Sequence, residues 1–319
     1  MTTTDVNRFR VRRSDGKSAL LAICHLGFVY APVYLAAVVG PHPIVLSFWL
    51  WFGVTQNGII NLLHESAHGL TFKNQGLARW LGRWLLAPLV LSDLDDYRER
   101  HFQHHRLLGS ADDPKLVYRE NIRGWRVVWF FLRCVSMVEG VRLLQNGKQD
   151  RAAPAKANGR LAAFARIALV QSLFLASIGL TAALVHREPW PALLSVLIAY
   201  GFVYGHGLGG LTVFMAGLRA IAEHQIGSDA RATQGDAALR NFHCNPLSRL
   251  VFGAYGFAEH ATHHLEPSIP HYNLPAATDA FGSEDPKLQR RGSYVSTLVS
   301  LWARTPATLI TTDAAMRPE

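Results

Sequence analysis

The sequence is poor in charged residues and in cysteine. Charged side chains make up 17% of its 319 residues, against 49% hydrophobic ones, and the mean hydropathy is positive. This balance favours a membrane protein. The three cysteines, Cys24, Cys134 and Cys244, stand alone and form no CxxC pair. Their isolation excludes a disulfide framework, a thiolate zinc site and a built-in iron–sulfur cluster.

Acidic residues are also fewer than basic ones, so the formal net charge is +9. A basic chain can bind nucleic acid, but in an apolar chain Lys and Arg more often flank membrane spans. We therefore expect a membrane as the partner of the basic residues, and no nucleic acid.

Four apolar stretches are long enough to cross a bilayer, which takes about 20 residues. The connections within each pair are short, Gly40–His42 in the first and His186–Pro191 in the second. The sequence thus predicts an all-α integral membrane protein with four transmembrane helices in two hairpins. The predicted spans are 18–39, 43–63, 161–185 and 192–218.

The basic residues are unevenly distributed around these spans. Segment 1–17 holds 5 Lys and Arg, segment 64–160 holds 16 and segment 218–319 holds 9. The two short connections together contain one, Arg187. Because positive charge is retained inside, both termini and the middle segment are expected on the cytoplasmic side. We divide the chain into a basic tail (1–17), a membrane domain with a cytoplasmic helical cap (18–275) and a C-terminal cytoplasmic tail (276–319).

Two further segments, Gly76–Val90 and Arg123–Leu144, mix Trp and Leu with Arg. This composition is typical of amphipathic helices that lie in the membrane interface. The alternative is that both segments are ordinary core helices of the cytoplasmic cap.

Histidine is abundant, with 15 copies, and eight of them form three clusters. Spacings of i, i+3 and i+4 place the members of a cluster on one helix face, where several imidazoles can point to one site. Every cluster falls on the predicted cytoplasmic side. The clusters are His64 with His68, then His101 with His104 and His105, and then His260 with His263 and His264.

Imidazole suits zinc, copper, iron and nickel, so these ligands do not select the metal. Eight histidines are too many for one tetrahedral ion and suit two ions of higher coordination. His224 follows the fourth span and is a ninth candidate. His206 lies 18 residues earlier, about 27 Å along an α-helix, and is expected to bond a neighbouring helix or to line a pocket instead.

Two other functions fit part of this pattern. The segment His64–His68 matches HExxH, the motif of zinc metalloproteases in which the glutamate is the general base. That function would leave about six clustered histidines without a role. A metal transporter would carry its ligands within the spans, whereas these histidines lie beyond the span ends.

The full set of motifs resembles the membrane fatty acid desaturase superfamily. The motifs are HESAHG from His64, RERHFQHHR from Arg98 with the following ADDPK, RAIAEH from Arg219, and EHATHHLEPSIPHYNLP from Glu259. Members of this superfamily carry three such histidine boxes, four spans in two hairpins and a cytoplasmic cap. The resemblance extends from Ser18 to about Pro275.

The resemblance implies a catalytic centre with two iron ions and O₂ as co-substrate. The implied ligands are His64, His68, His101, His104, His105, His224, His260, His263 and His264. It also implies attack on an unactivated C–H bond of a lipid-like substrate, with fatty acyl desaturation as the first expectation. Hydroxylases and ketolases of lipids, carotenoids and alkanes share the boxes, so these reactions stay open.

Several details qualify the resemblance. The first box reads HxxxH where the animal acyl-CoA branch has HxxxxH, and Ala220 stands where that branch has Asn. A bacterial acyl-lipid or carotenoid-type relative is therefore favoured. We see no cytochrome b5-like domain in the sequence, so a ferredoxin-like or rubredoxin-like donor is expected to dock on the basic face.

Acidic residues also adjoin the boxes. Glu65, Glu223 and Glu259 each stand beside a box histidine and are expected to support ligands rather than to bind metal. Asp112 and Asp113 follow the second box and are expected either to hold imidazole N–H groups or to cap a helix.

Overall fold

The computed structural model describes residues 6–108, 110, 112–114, 122, 124–149, 157–224 and 239–303. The outermost parts of the two predicted tails, 1–5 and 304–319, lie outside these residues. Regular structure in the described chain is helical, with one isolated bridge between Asn241 and Arg290. The helices are α1 (Asp15–Val39), α2 (Val45–Thr55), α3 (Asn57–Ala67), α4 (Gln75–Leu81), α5 (Leu94–Leu107), α6 (Arg126–Val135), α7 (Val138–Gln149), α8 (Ala157–Val185), α9 (Pro189–Glu223), α10 (Pro246–Val251), α11 (His260–Leu265), α12 (Leu274–Glu284) and α13 (Tyr294–Ala303).

Three described helices are long and apolar enough to cross a membrane: Asp15–Val39, Gly159–Val185 and Pro189–Glu223. They contain the predicted first, third and fourth spans. Large apolar side chains on their outer faces, such as Leu20 in α1 and Leu184 in α8, are exposed. Such faces need an apolar surrounding, because a helix apolar all round is stable only when buried in protein or lipid.

The predicted second span differs from a single long helix. Two 11-residue helices, α2 and α3, meet at Gln56. The break falls in a polar triplet: the Thr55 hydroxyl donates to Trp51 O, and Gln56 Nε2 donates to the Tyr30 hydroxyl in α1. Such side-chain bonds compete with the regular helical pattern. The backbone at Gln56 nevertheless keeps helical dihedral angles, with φ −60° and ψ −24°.

The two short connections lie together at one end of the helix bundle. His186 Nε2 is 3.2 Å from Ala37 O. A methyl group built on Gly40 would lie 2.9 Å from Ser195 Oγ in α9. The two hairpins therefore pack side by side and turn at the same end. We call the opposite end, which carries His68 and His224, the histidine end.

The first predicted interfacial segment, Gly76–Val90, consists of α4, a π-helical turn (Gly82–Leu86) and the short helix Ala87–Leu89. Its last carbonyls accept hydrogen bonds from side chains of the spans. Gln171 Nε2 donates to Pro88 O at 2.8 Å, and the Tyr204 hydroxyl donates to Leu89 O at 3.2 Å. Pro88 O also accepts a backbone hydrogen bond from Leu91 N at 3.1 Å, so these side chains add to the bonds made by the carbonyls at this helix end.

The second predicted segment, Arg123–Leu144, is two helices rather than one. Met137, with φ 65°, separates α6 from α7. The turn packs on α9, where His206 Nε2 lies 2.8 Å from Val135 O and where a methyl group on Gly140 would lie 2.5 Å from Gly209 O. Exposed apolar side chains are expected for helices that face a membrane interface, and α6 and α7 carry them at Trp129, Leu132 and Leu144.

The boundary placed at residue 275 does not end the packed chain. The boundary falls inside α12, α13 follows it, and Phe281, Leu288 and Tyr294 are buried. The N-terminal segment joins the same core, because the Phe9 ring packs edge-on against Phe281 with centroids 5.5 Å apart. Both predicted tails therefore contribute to the folded structure within the described residues.

Candidate metal centre

Four elements meet at the histidine end, and together they present all nine predicted histidines. The first cluster lies at the end of α3, the second on the last turns of α5 and the third on α11, and His224 caps the end of α9. Helical spacing aligns each cluster on one face, so three short segments aim their imidazoles at a common region.

Five of the nine form one group. Their ligand atoms lie within 4.8 Å of one another and could hold a metal ion; we call them the five-histidine group. Within it, His101 Nε2 lies 2.7 Å from His68 Nε2 and 2.9 Å from His105 Nε2. The members are His64, His68, His101, His105 and His263.

The other four histidines form a second cluster around His224. One set of three ligand residues comprises His104, His224 and His264, and another comprises Glu223, His224 and His260. We call the histidines of both sets the four-histidine group. His224 Nε2 and His260 Nε2 are 3.0 Å apart.

The second and third boxes divide their members between the two groups. In α5, His101 and His105 join the five-histidine group and His104 joins the other. In α11 the assignment is reversed, since His260 and His264 join the four-histidine group. In each box the i, i+4 pair serves one group and the remaining histidine serves the other, so HxxHH can supply two neighbouring sites.

The two groups adjoin and are largely closed to solvent. The rings of His105 and His264 stack across the boundary with centroids 4.1 Å apart. Both ring nitrogens of His64 and Nε2 of His264 are buried without a hydrogen-bond partner among the described residues. A buried polar atom without a partner costs free energy, and a metal ion would satisfy one ring nitrogen of each of these histidines.

Burial also keeps these imidazoles neutral. It lowers the pKa of His68 to about 3, with a smaller contribution from Arg98. Burial and the neighbouring histidines hold the pKa of His64 and of His264 well below their usual range. Neutral imidazole is the form that binds metals.

Asp113 supports the four-histidine group through His104. The Asp113 carboxylate oxygens lie 2.9 and 3.0 Å from His104 Nδ1, and both side chains are buried. A carboxylate at Nδ1 favours a proton there and leaves Nε2 as the ligand atom. Of the two functions considered for the aspartates, Asp113 therefore holds an imidazole, whereas its neighbour Asp112 is exposed.

The three glutamates beside the boxes differ from one another. Glu65 Oε2 is 3.1 Å from the Nδ1 atom of His271, which is not a proposed ligand, so Glu65 does not support a ligand as expected. Glu259 forms ion pairs with Arg249 and Arg290, which corrects the expectation that it supports a histidine. Glu223 Oε2 lies 3.8 Å from His260 Nε2, inside one of the candidate metal-binding sets.

Aromatic rings line the five-histidine group. Phe257 packs on His64 with centroids 4.7 Å apart, and Phe102 packs on His68 at 5.1 Å. The guanidinium of Arg219 covers the Phe257 ring, 4.1 Å from its centre. These rings exclude water from the histidines and restrict their rotation.

A left-handed turn positions the third box. Tyr255 has φ 52° and Gly256 has φ 79°. Both lie in the 3₁₀ segment Ala254–Glu259, which leads directly into α11. A side chain at Gly256 would meet Leu274 at 2.5 Å and His271 at 3.2 Å. Glycine is therefore required at this position, both for the positive φ and for the close packing.

Sequence reasoning did not identify Tyr294 or Arg219 as neighbours of the centre. The Tyr294 hydroxyl lies 2.8 Å from Glu223 Oε1, and Arg219 Nε lies 3.7 Å from the same oxygen. Arg219 could have been noted, because it stands one turn before Glu223 on a largely apolar helix. Tyr294 gives no local signal, since 71 residues separate it from Glu223.

A family model for fatty acid desaturases matches residues 40–294. This range includes all three boxes and His224. The chain belongs to the fatty acid desaturase family. No curated protein matches the chain in a direct comparison.

Membership in the fatty acid desaturase family agrees with the membrane character of the helices and with histidine groups that could hold metal. It makes the protein a desaturase- or hydroxylase-type oxidoreductase associated with the membrane and with lipid substrates. The match ends at Tyr294, so it also includes residues 276–294, which were predicted to belong to a C-terminal tail.

Proposed function

We propose that this protein is an O₂-dependent di-iron oxidoreductase that attacks an unactivated C–H bond of a lipid-like substrate, with desaturation of a fatty acyl chain as the reaction. The observation that supports this most directly is the division of nine histidines into two adjoining groups of five and four. Two sites side by side suit a pair of metal ions acting together.

The residues fit iron. Imidazole is a suitable ligand for iron as well as for zinc and copper, and family membership favours iron among these. The nine proposed ligands are His64, His68, His101, His104, His105, His224, His260, His263 and His264. When bound, a pair of reduced irons would activate O₂, which alone reacts too slowly with a saturated carbon.

The protein's own side chains have three tasks in this proposal. Neutral imidazoles hold the metals, and Asp113 fixes the tautomer of His104. Phe257 and Phe102 shield the histidines from water, which protects a reactive centre from side reactions.

The proposal includes four spans and a cytoplasmic site. Segment 43–63 would be the second span despite the break at Gln56, since its neighbours in sequence and in packing are spans. The scarcity of Lys and Arg in the two connections supports a cytoplasmic location for the histidine end. His64 and His68 then lie just beyond the second span, and substrate reaches them from the bilayer.

The reaction also needs electrons from another protein. The chain is basic, with Lys and Arg concentrated in the segments that form the histidine end. An acidic ferredoxin-like or rubredoxin-like donor would be attracted to that face.

The protease function is disfavoured by the position of Glu65. A general base of an HExxH site must face the metal-bound water, whereas the Glu65 carboxylate bonds the ring and the backbone N–H of His271. His64 and His68 also share their group with three further histidines.

Product analysis tests the proposal. The chain is expressed in a lipid-rich host supplied with deuterated fatty acids, and the lipids are analysed by mass spectrometry. Loss of two deuterium atoms from an acyl chain identifies a desaturase, whereas replacement of one by a hydroxyl identifies a hydroxylase on the same scaffold. The His263→Ala variant is the control, and no difference between its lipids and those of the wild type would contradict the proposal.

A further inference from the structure

Glu223 occupies an unusual place for a carboxylate in a histidine centre. It is the last residue of α9, directly before His224, and is fully buried. Its Oε2 lies 3.8 Å from His260 Nε2, and its set of ligand atoms with His224 and His260 spans no more than 4.8 Å.

These separations are those of ligands around one ion. Histidine nitrogens and carboxylate oxygens lie about 2.0–2.2 Å from a first-row metal such as zinc, so two ligands on one ion are about 3.0 Å apart at a right angle and about 3.8 Å apart at about 130°. The contacts from His260 to His224 and to Glu223 are 3.0 and 3.8 Å.

The pattern of donors supports the same assignment. The five-histidine group takes an i, i+4 pair from the first box, another from α5 and a single histidine from α11. The other group takes an i, i+4 pair from α11, His104 from α5 and His224 from the end of α9. It has one histidine fewer, and Glu223 supplies a fifth donor at the same end of α9.

The carboxylate is held in the orientation that binding requires. The Tyr294 hydroxyl is 2.8 Å from Oε1, and Arg219 Nε is 3.7 Å from that oxygen. The hydroxyl is also 2.8 Å from Phe257 O, and the charged carboxylate is the stronger acceptor of its single hydrogen. With its first oxygen bound on this side, Glu223 presents the second oxygen to His260.

Charge gives a further reason. Two divalent ions held by neutral imidazoles alone would place four positive charges in a buried site, and uncompensated buried charge is costly. The neighbouring acids Glu65, Glu259 and Asp113 are engaged with His271, two arginines and His104 respectively. The Glu223 carboxylate, by contrast, lies with its ligand atom within 4.8 Å of those of His224 and His260.

We propose that Glu223 is a metal ligand, whose Oε2 completes five protein donors around the four-histidine group. This inference rests on the proposed di-metal centre, and it replaces the expectation that Glu223 only supports a histidine. Each of the two sites then has five protein donors. One site has five histidines, and the other has four histidines and a carboxylate.

Metal content and Mössbauer spectra of protein loaded with iron-57 and purified in mild detergent provide the test. The wild type is expected to hold about two irons with two distinguishable quadrupole doublets, because its ligand sets differ. Glu223→Gln should lose about half of the iron, together with one doublet. Glu65→Gln is the matched control: it makes the same change beside another box histidine and should keep both irons.

The outcomes separate the two proposals. A wild type without iron would contradict the di-iron function itself. A Glu223→Gln protein with full iron and both doublets unchanged would overturn the ligand assignment and leave the function intact.

A measurement on the wild type serves if Glu223→Gln does not fold. The infrared difference spectrum between apo- and zinc-loaded protein should contain a carboxylate band that shifts on metal binding. Its absence would overturn the assignment, since carboxylates beyond the ligand sphere shift little. Tyr294→Phe, which keeps Glu223 but removes its hydroxyl partner, should retain both irons and change the splitting of one doublet only.

Discussion

Asp113 and His104 face each other in the interior of the protein, with Asp113 Oδ1 2.9 Å from His104 Nδ1 and both side chains closed to solvent. The pair links the segment after the second box to the four-histidine group. Because the carboxylate favours a proton on Nδ1, it directs Nε2 toward the metal site and strengthens the imidazole as a ligand.

Removing this carboxylate should weaken one metal site. We expect Asp113→Ala to lower the affinity for metal by about 10–100-fold, the usual effect of removing a partner of a ligating histidine. Iron retained during dialysis against graded chelator concentrations measures the change. Asp112→Ala is the matched control, since its side chain is exposed, and an equal loss in both variants would contradict the role of Asp113.

Much of the candidate site could be predicted from sequence because its chemistry is local. The i, i+3 and i+4 spacings within the boxes identify eight histidines that helices must align. All eight, with His224, lie at one end of the bundle. The division of α5 and α11 between two groups could not be predicted, because it depends on how those helices cross.

The features that sequence reasoning missed depend on contacts between distant residues. Gln56, where α2 and α3 meet, bonds Tyr30 of another helix, and no local pattern predicts that partner. Tyr294 was placed in a tail, yet it contacts Glu223 across 71 positions. Apolar periodicity predicts which face of a helix is buried, but it does not predict the partner on that face.

The close approach of Gly140 to Gly209 should be needed to dock α6 and α7 on α9. A methyl group at position 140 would lie 2.5 Å from a backbone oxygen, which cannot move aside as a flexible side chain can. We expect Gly140→Ala to destabilise the protein by about 1–3 kcal/mol, as overpacking usually does.

The thermal stability of the detergent-purified protein, followed by size-exclusion chromatography after heating, measures this effect. Gly179→Ala in α8 is the control, because a methyl group there meets nothing within 4 Å. It should leave stability unchanged or raise it slightly, since alanine is the better helix former. Equal stability of the Gly140 variant would mean that α7 is not held against α9.

The proposed topology predicts that both termini lie on the cytoplasmic side. The basic residues are concentrated in segments 1–17, 64–160 and 218–319, and the two connections contain only Arg187. The location of each end can be measured by fusing it to two reporters, one that is active only in the cytoplasm and one that is active only on the other side of the membrane. Ends on opposite sides would require an odd number of spans, so that segment 43–63 would not cross the membrane.

His206 lies within α9 and His224 lies at its end. Replacing the one or the other should have completely different effects on metal binding. His224 belongs to the four-histidine group, whereas the His206 ring accepts a hydrogen bond from Trp49 Nε1 at 3.1 Å and lies 2.8 Å from Val135 O. His224→Ala should therefore remove iron from one site and abolish activity. His206→Ala should keep the iron and lower stability by about 0.5–2 kcal/mol, the scale of side-chain hydrogen bonds within membranes.

Iron content and thermal stability measured on the same preparations distinguish the two effects. His206 stands 18 positions before His224, about 27 Å along an α-helix, and the π-helical stretch Leu197–Thr212 shortens that distance without breaking the helix. If His206→Ala lost iron as fully as His224→Ala, the contact between His206 and the turn at Val135 would have to be needed for the histidines of the metal centre to keep their positions.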